Sequence, residues 1–185
     1  MSNVERPKYK VLSSSGNIEI RQYAPMIIAK VAIEGEKKKA IKTGFRVLAD
    51  YISGNNTLQQ DIAMTAPVQQ QKNIHIAMTA PVQQQSIGNA WDISFVMPSQ
   101  YTISHLPKPN NKHVIIEEVP AQQFIVITFS GTSSENNMKK HEKQLMQYVA
   151  ANNVPIKGKP LYAFYNPPWT LPFMKRNEVM LAVER

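Results

Sequence analysis

Cysteine is absent from this chain of 185 residues. Its absence excludes disulfides, thiolate metal ligands, cysteine nucleophiles and the attachment of a prosthetic group through cysteine. A chain of this length is the usual size of one domain and can bury a hydrophobic core without such crosslinks. We therefore expect a single domain over residues 1–185.

Long apolar runs and phosphate-binding glycine motifs are missing as well. The longest apolar stretch, residues 26–33, is interrupted by Lys30 and is too short to span a bilayer. Residues 1–12 carry charges and a proline where an export signal needs an apolar run. The seven glycines form neither a P-loop nor a GxGxxG motif. These absences predict a soluble, cytoplasmic protein with no membrane span and no phosphate-binding loop.

Catalytic constellations are not evident. His141 and Glu142 begin like a zinc-protease motif, but the second histidine is missing. Glu117 and Glu118 are adjacent on a predicted strand, so they face opposite sides of the sheet. The four histidines are far apart in the sequence and have no metal-ligand spacing: His75, His105, His113 and His141. We therefore expect a protein that is not an enzyme.

The apolar pattern predicts a fold that mixes strands with two helices. Strands are predicted at residues 9–12, 18–23, 26–34, 91–97, 114–119, 124–129, 161–165 and 178–183. A first helix is predicted over residues 37–53, closed by Gly54. A second is predicted to begin at a capping box of Thr132 and Glu135 and to end near Asn152. Two strand groups each accompany one helix, so we expect an α+β domain of two similar halves around a curved antiparallel sheet.

A short tandem repeat interrupts this pattern. Residues 62–71 read IAMTAPVQQQ, and residues 76–85 repeat the same ten letters. The unit is too short for a solenoid. We interpret it as an insertion held in an extended hairpin or surface loop. The alternative is that two identical strands compete for one position in the sheet, which favours register exchange, domain swapping and a homodimer through this segment.

Two basic and apolar segments are candidate binding surfaces. The net charge of +8 favours anionic partners without choosing among them. On the first predicted helix, cations at four-residue steps flank an apolar stripe: Lys38, Lys42 and Arg46 beside Ile41, Phe45 and Leu48. This pattern indicates either a solvated basic face or the rim of a site for a flat apolar ligand with carboxylates.

The second segment is a proline-rich loop. Residues 166–174 read NPPWTLPFM and combine a rigid backbone with large apolar side chains, and the cations Lys175 and Arg176 follow directly. Either the loop closes one end of the fold, with Trp169 and Phe173 in the core, or these groups contact an amphipathic anionic ligand.

Six runs resemble, in order and spacing, the SOUL/haem-binding protein family: EIRQYAP, AIKTGFRVLADYISG, IAMTAPV, WDISFVMP, LPKPNN and YNPPWTLPFMKRNEV. The resemblance covers residues 9–184 and implies one SOUL domain with a tandem strand duplication at residues 62–85. It implies a twisted antiparallel β-barrel of two pseudo-symmetric halves, each with one α-helix, related to bacterial effector-binding domains. It also implies noncovalent binding of haem or another tetrapyrrole, in the role of a carrier or buffer.

The resemblance further implies where the ligand binds, between the first helix and the loop before the last strand. Ten residues correspond to that site: Lys42, Phe45, Arg46, Ala49, Trp169, Leu171, Phe173, Met174, Lys175 and Arg176. Some members carry a histidine, proposed as an iron ligand, in the EIRxY motif, where this chain has Gln22. The metal ligand therefore stays open between Tyr23, a methionine such as Met174, and no protein ligand.

The resemblance also bears on an alternative function and on the repeat. The kinship with effector-binding domains keeps a second function open, an effector-binding module for a different amphipathic molecule. No helix-turn-helix lies outside the barrel and no aromatic–basic interleaving is evident, so we expect no nucleic-acid binding. Family members carry IAMTAPV once, and the sequence leaves open which of the two copies fills the family strand.

Overall fold

The computed structural model describes residues 4–57 and 74–184 of the chain, so the first repeat copy lies outside the described residues. Within those ranges the helices are α1 (Lys37–Ile52) and α2 (Glu135–Ala151). The strands, in chain order, are β1 (Tyr9–Ser15), β2 (Ile18–Tyr23), β3 (Met26–Glu34), β4 (Asn56–Thr57), β5 (Val82–Ile87), β6 (Ala90–Val96), β7 (Lys108–Pro109), β8 (Ile115–Val119), β9 (Gln122–Phe129), β10 (Ile156–Phe164) and β11 (Asn177–Val183). None of the helices in the described ranges is long and apolar enough to cross a membrane.

Nine strands form one curled antiparallel sheet in the order β1-β2-β9-β11-β10-β5-β6-β3-β8, and β4 pairs with β7 separately. The chain runs β3-α1-β5-β6 in one half and β9-α2-β10-β11 in the other. In space the two halves repeat the same order, β5-β6-β3 and β10-β11-β9, and they join where β5 pairs with β10. The predicted α+β fold of two related halves, each with one helix, is confirmed.

Each helix covers its own half of the sheet. α1 packs on β3 and β6, and α2 packs on β9 and β11. Gly44 allows the close approach of α1, because a Cβ atom there would lie 2.6 Å from Cδ1 of Ile93 on β6. The helix ends at Ile52, and Gly54 follows with a φ of 121°, which confirms the predicted glycine closure. The two strands at the junction, β5 and β10, are left between the helices.

The second repeat copy supplies the strand at this junction. Ile76 is fully buried, and the Thr79 hydroxyl donates a hydrogen bond to the carbonyl of Val96. Residues 82–85 then pair with β6 on one side and β10 on the other. The second copy therefore fills the position that the sequence left open.

The predicted capping box of α2 is wrong. Ser134, not Thr132, is the N-cap residue, and its hydroxyl accepts a hydrogen bond from the backbone N–H of Asn137 at 3.4 Å. Thr132 lies outside the helix and donates to the Ser134 hydroxyl. Glu135 is the first helical residue and pairs with Lys139 at 2.6 Å instead of reaching back to the cap. Any serine or threonine near a helix start can cap it, and the three-residue spacing alone selected the wrong one.

Candidate functional site

The predicted residues of α1 lie at the surface of the helix. Lys42 and Arg46 are exposed, and no ion pair in the described part of the chain engages either of them. Phe45 is 40% exposed and packs one side of its ring against Phe95 of β6, with 5.4 Å between the ring centroids. Ala49 is half-buried. The helix therefore offers an aromatic edge between two free cations.

The proline-rich loop exposes its large apolar side chains. Trp169 is 84% exposed and Phe173 73%, and Leu171 and Met174 are also more than half exposed. These four are more exposed than the other large apolar side chains of the described residues. Side chains this exposed lie outside the hydrophobic core. The alternative that Trp169 and Phe173 belong to the core is therefore wrong.

Hydrogen bonds hold the loop in one shape despite this exposure. Residues Pro172–Met174 form a turn of 3-10 helix, and the carbonyl of Pro172 accepts from the backbone N–H of Gly131 at 2.9 Å. The side-chain oxygen of Asn166 accepts from the backbone N–H of Arg176 at 2.7 Å, which closes the base of the loop. The exposed rings are thus carried on an ordered backbone, and this lowers the entropy cost of binding.

The sheet brings the start of the loop and α1 to the same end. Phe164, the last residue of β10, pairs with Val82 of β5, which pairs with Phe95 beneath Phe45. Neighbouring strands are about 4.8 Å apart, so the loop leaves the sheet roughly 10 Å from the position under Phe45. Among the described residues, no hydrogen bond or ring contact joins the ten predicted residues of the helix to those of the loop.

The side chains of Lys175 and Arg176 have different partners. The Lys175 ammonium donates to the carbonyl of Pro168 at 3.1 Å, at the surface of the loop. The Arg176 guanidinium instead binds the carboxylate of Glu178, at 2.6 Å and 3.0 Å, and lies 4.4 Å from the centre of the Tyr165 ring. Arg176 is therefore engaged inside the fold, whereas Lys175 remains at the rim.

Glu178 is the centre of a buried polar network that the sequence analysis missed. Its carboxylate is fully buried and accepts from Arg21 at 2.9 Å, from Tyr165 at 2.7 Å and from Thr128 at 3.2 Å, besides Arg176. Arg21 belongs to the EIRQY run and Glu178 to the RNEV run, so two distinctive family motifs meet here. Their shared role in this fold is to join β2 to β11 across β9.

Two cations determine the charge state of this network. Burial alone raises the pKa of Glu178, but Arg21 and Arg176 outweigh burial and hold that pKa below its usual value. Burial and the neighbouring Glu178 raise the pKa of Tyr165 well above its usual range. The network thus holds an ionised carboxylate between two guanidinium groups and a neutral phenol.

The candidate iron ligands differ in availability. Tyr23 is buried, its hydroxyl accepts from Arg21 at 3.1 Å, and burial with the nearby Glu178 raises its pKa to about 12. A phenol held in this way is not free to bind iron as a phenolate. Gln22 is the neighbour of Tyr23 on β2, so its side chain faces the other side of the sheet. Four strands lie between β2 and β6, the strand under α1, so both residues are far from the predicted helix surface. Met174 is exposed on the loop. No cluster of three metal-binding side chains occurs in residues 4–57 and 74–184.

A groove between the two helices was also missed by the sequence analysis. We call it the inter-helix groove; it has a volume of about 590 Å³. Its lining comes from the start of α1, the start of α2 and the two junction strands: Glu36, Lys37, Lys38, Ile41, Gln84, Ser133, Ser134, Glu135, Met138, Tyr162 and Phe164. None of the ten predicted site residues lines it. The signal that the sequence did contain is the run of three lysines at residues 37–39, two of which line the groove.

Comparison with known proteins extends over nearly the whole chain. Residues 4–182 match the family described as SOUL heme-binding protein. Heme-binding protein 2 of Mus musculus is 30% identical over 188 residues, which is 96% of this chain and 85% of that protein. Heme-binding protein 2 of Homo sapiens is 30% identical over 184 residues with the same coverage.

Solved structures share the fold at low sequence identity. The C-terminal domain of EcmrR superimposes with a TM-score of 0.58 at 14% identity and covers 96% of this chain and 98% of that chain. A hydrolase from Listeria innocua has a TM-score of 0.55 at 13% identity, with 94% of each chain covered. These likenesses show the fold alone. The sequence match, the paired EIRQY and RNEV motifs and the two-halved sheet together show that the chain belongs to the SOUL haem-binding protein family.

Proposed function

We propose that this protein binds haem or a related tetrapyrrole noncovalently, as a carrier or buffer and not as an enzyme. Family membership supports haem as the ligand. The observation that carries the proposal is the exposed apolar face of the loop, with Trp169 and Phe173 in water on an ordered backbone. The proposed site lies between this loop and the outer face of α1.

The chemistry of the two surfaces suits a tetrapyrrole. The ligand is a flat apolar ring that carries carboxylates, so it needs apolar contact on its faces and cations at its edge. Trp169, Phe173 and Phe45 supply aromatic surface, and covering such surface contributes about 25 cal/mol per Å². Lys42 and Arg46 are free to pair with the carboxylates through charge-assisted hydrogen bonds.

Charge reversal on α1 tests this site. We expect the double variant K42E/R46E to lose roughly 2–5 kcal/mol of the free energy of porphyrin binding, because two charge-assisted contacts become repulsive. The fold should persist, since both side chains are exposed. Hemin titration followed at the Soret band measures the affinity, and circular dichroism checks the fold.

The matched control changes the same charge elsewhere. K140E/K143E reverses two exposed lysines on α2 and should bind hemin like the wild type. Unchanged hemin affinity in K42E/R46E, with a normal dichroism spectrum, would remove these two residues from the site.

The second candidate function is an effector-binding module for another amphipathic molecule, which the fold likeness to the EcmrR domain favours. Hemin and metal-free protoporphyrin separate the two functions, because an effector module with a different ligand would bind neither of them well. A cytoplasmic location, the lack of nucleic-acid binding and a homodimer stay predictions from the sequence.

A further inference from the structure

The inter-helix groove lies where the two halves of the fold meet. α1 covers β3 and β6, and α2 covers β9 and β11, so the junction strands β5 and β10 form an uncovered floor. Tyr162 and Phe164 of β10 present aromatic surface there, and Ile41 of α1 and Met138 of α2 form apolar walls. The volume of about 590 Å³ is within the range of small-molecule sites.

Gln84 places a side-chain amide on this floor. Its side chain is only 8% exposed and lines the groove. Within the described ranges, no hydrogen bond engages its side chain, whereas the side chains of its neighbours Gln83 and Gln85 are both bonded on the other face of the sheet. No buried side-chain nitrogen or oxygen atom of the described residues lacks a partner, so the Gln84 amide is reached from the groove and is open to a bound molecule. A molecule that offers an oxygen there would gain a hydrogen bond to this amide.

Lys37 adds a cation beside this amide. Its ammonium lies 4.8 Å from the ring centre of Trp91 and 5.0 Å from that of Tyr162. No carboxylate among the described residues forms an ion pair with it. The two aromatic faces hold its charge near the floor of the groove instead of in bulk water.

The first turn of α1 increases the positive potential at the same place. It has no acidic residue and no capping side chain, and residues 37–39 are all lysine. No side chain caps its first backbone N–H groups, which lie at the end of the helix that attracts anions. Cations at this end destabilise the helix, so helix stability does not explain their presence.

The acidic side chains around the groove are largely engaged. Glu135 pairs with Lys139 at 2.6 Å, and Glu142 accepts from the Tyr162 hydroxyl at 2.7 Å. Glu36 is exposed at the rim. Glu135 also attracts the ammonium of Lys37 electrostatically, but the two form no ion pair. The ammonium of Lys37 and the amide of Gln84 can both donate to an anion in the groove.

We propose that the inter-helix groove is a binding site for a small aromatic carboxylate, separate from the tetrapyrrole surface. The carboxylate binds Lys37, Gln84 and the first N–H groups of α1. The aromatic body lies against Phe164, between the walls of Ile41 and Met138. This site depends on no residue that we assign to tetrapyrrole binding.

A pair of matched probes tests the proposal on the full-length protein. 2-Naphthoate carries the carboxylate, and 2-naphthamide has the same ring system without the charge. We expect titration calorimetry to show naphthoate binding about tenfold more tightly, as one charge-assisted contact predicts. In ¹⁵N-detected NMR of the wild type, the side-chain amide signals of Gln84 should shift with naphthoate. This measurement needs no variant, so it decides the outcome even if a substitution unfolds the chain.

Variants locate the binding groups. Lys37→Met and Gln84→Leu should each weaken naphthoate binding about tenfold, because each removes one donor to the carboxylate. Lys39→Met is the matched control; it removes an exposed lysine of the same turn that does not line the groove, and it should bind naphthoate like the wild type. All three should keep wild-type hemin affinity.

Three results would overturn the proposal. The first is equal affinity for naphthoate and naphthamide. The second is an unshifted Gln84 side-chain signal at saturation. The third is a parallel loss of hemin binding in the Lys37 and Gln84 variants, which would make the groove part of the tetrapyrrole surface. Failure of hemin to bind at all would contradict the proposed function and leave the naphthoate result as a separate measurement.

Discussion

Glu178 shows how this fold holds a charge in its interior. Removing a carboxylate from water costs several kcal/mol, and pairing offsets that cost only if the remaining lone pairs are satisfied. Here two guanidinium groups, from Arg21 and Arg176, and two hydroxyls surround the carboxylate. The carboxylate is therefore more important as a partner of two buried cations than as a source of net stability.

Glu178→Gln should consequently destabilise the protein by about 3–5 kcal/mol, because it leaves Arg21 and Arg176 without their counter-charge. Urea unfolding measures the change. Glu135→Gln is the control: it also removes a carboxylate that pairs with a cation, but at an exposed site, and should leave the free energy of unfolding nearly unchanged. Equal effects of the two substitutions would contradict this view of the network.

The pH dependence of stability follows from the same residue. The pKa of Glu178 is lower in the folded protein than its usual value of 4.5. Its contribution is therefore fully present above about pH 4.5 and is lost as the pH falls through the lower folded value. Unfolding measured between about pH 6 and 3 should show a steeper loss of stability in the wild type than in Glu178→Gln. Parallel curves would show that Glu178 does not control this acid sensitivity.

The iron of hemin should add little to the affinity of the protein for a porphyrin. Tyr23 is held as a neutral buried phenol, Gln22 stands where some family members carry a histidine, and Met174 is a weak ligand on an exposed loop. Hemin and metal-free protoporphyrin should then bind within about tenfold of each other. Fluorescence quenching and Soret titrations measure the two affinities. A much tighter hemin complex with a six-coordinate low-spin spectrum would show a strong ligand, and substitution of each histidine would then identify it.

At the scale of elements, the proline-rich loop combines an ordered backbone with exposed rings. Trp169→Ala should weaken porphyrin binding by more than about 1 kcal/mol, as expected for an aromatic group at the centre of a binding surface. Its unfolding free energy should stay within about 0.5 kcal/mol of the wild type, because the ring makes few contacts in the free protein. Ile115→Ala, an exposed apolar side chain on β8, is the control for nonspecific contact. If both variants bind alike, the loop is not the site.

Helices and strands with a regular apolar pattern could be predicted from the sequence, and strands rich in polar residues could not. The sequence predicted α1, α2 and most strands within a few residues, because one buried face imposes a regular pattern. The apolar pattern did not predict β5, where residues 83–85 are all glutamine, and only the resemblance indicated a strand at one of the two repeat copies. That strand is fixed by pairing with β6 and β10 on both sides, which a local pattern does not contain. The start of β10 at Ile156 was missed because residues 157–159 read as a loop, KGK.

The candidate site was predictable in part for the same reason. Exposure of the basic stripe followed from local composition, whereas the sequence left open whether the rings of the loop lie in the core or at the surface. The role of Arg176 did not, because its partner Glu178 looks like an ordinary exposed strand residue and its second partner, Tyr165, lies at the other end of the loop. The inter-helix groove depends on two helices almost 100 residues apart in the sequence, and only the three-dimensional arrangement brings their ends together.

At the scale of the whole molecule, the junction of the two halves is a single strand pair. β5 joins β10 through residues 82–85, and the second repeat copy supplies all four. Every contact made by residues 76–85 could be made by residues 62–71, since the letters are identical. The position in the sheet has room for one copy, and residues 76–85 occupy it.

Deleting residues 62–75 tests whether the extra copy is dispensable. The deletion joins Asp61 to Ile76 and keeps the copy that forms β5. Asn56 now bonds the backbone N–H and carbonyl of Ile74, at 3.0 Å and 2.8 Å. Because these partners are main-chain atoms, Gln60, which would then lie two residues before Ile76, can replace Ile74 without a matching side chain. We therefore expect a folded protein with wild-type hemin affinity.

The same deletion should change how the protein associates. The uncharged segment IAMTAPVQQQ offers Ile, Met and Val to a sheet position that is already filled, and an identical segment in a second molecule can pair with that position instead. Sedimentation equilibrium should accordingly show less dimer after deletion than before it. The control is replacement of residues 62–75 by a glycine–serine segment of equal length, which keeps the spacing and removes the competing strand; it should reduce the dimer to the same extent. The deletion could unfold the protein or abolish hemin binding while the replacement does not. That result would show that the length of the segment is integral to the fold, because only the replacement keeps the number of residues between β4 and β5.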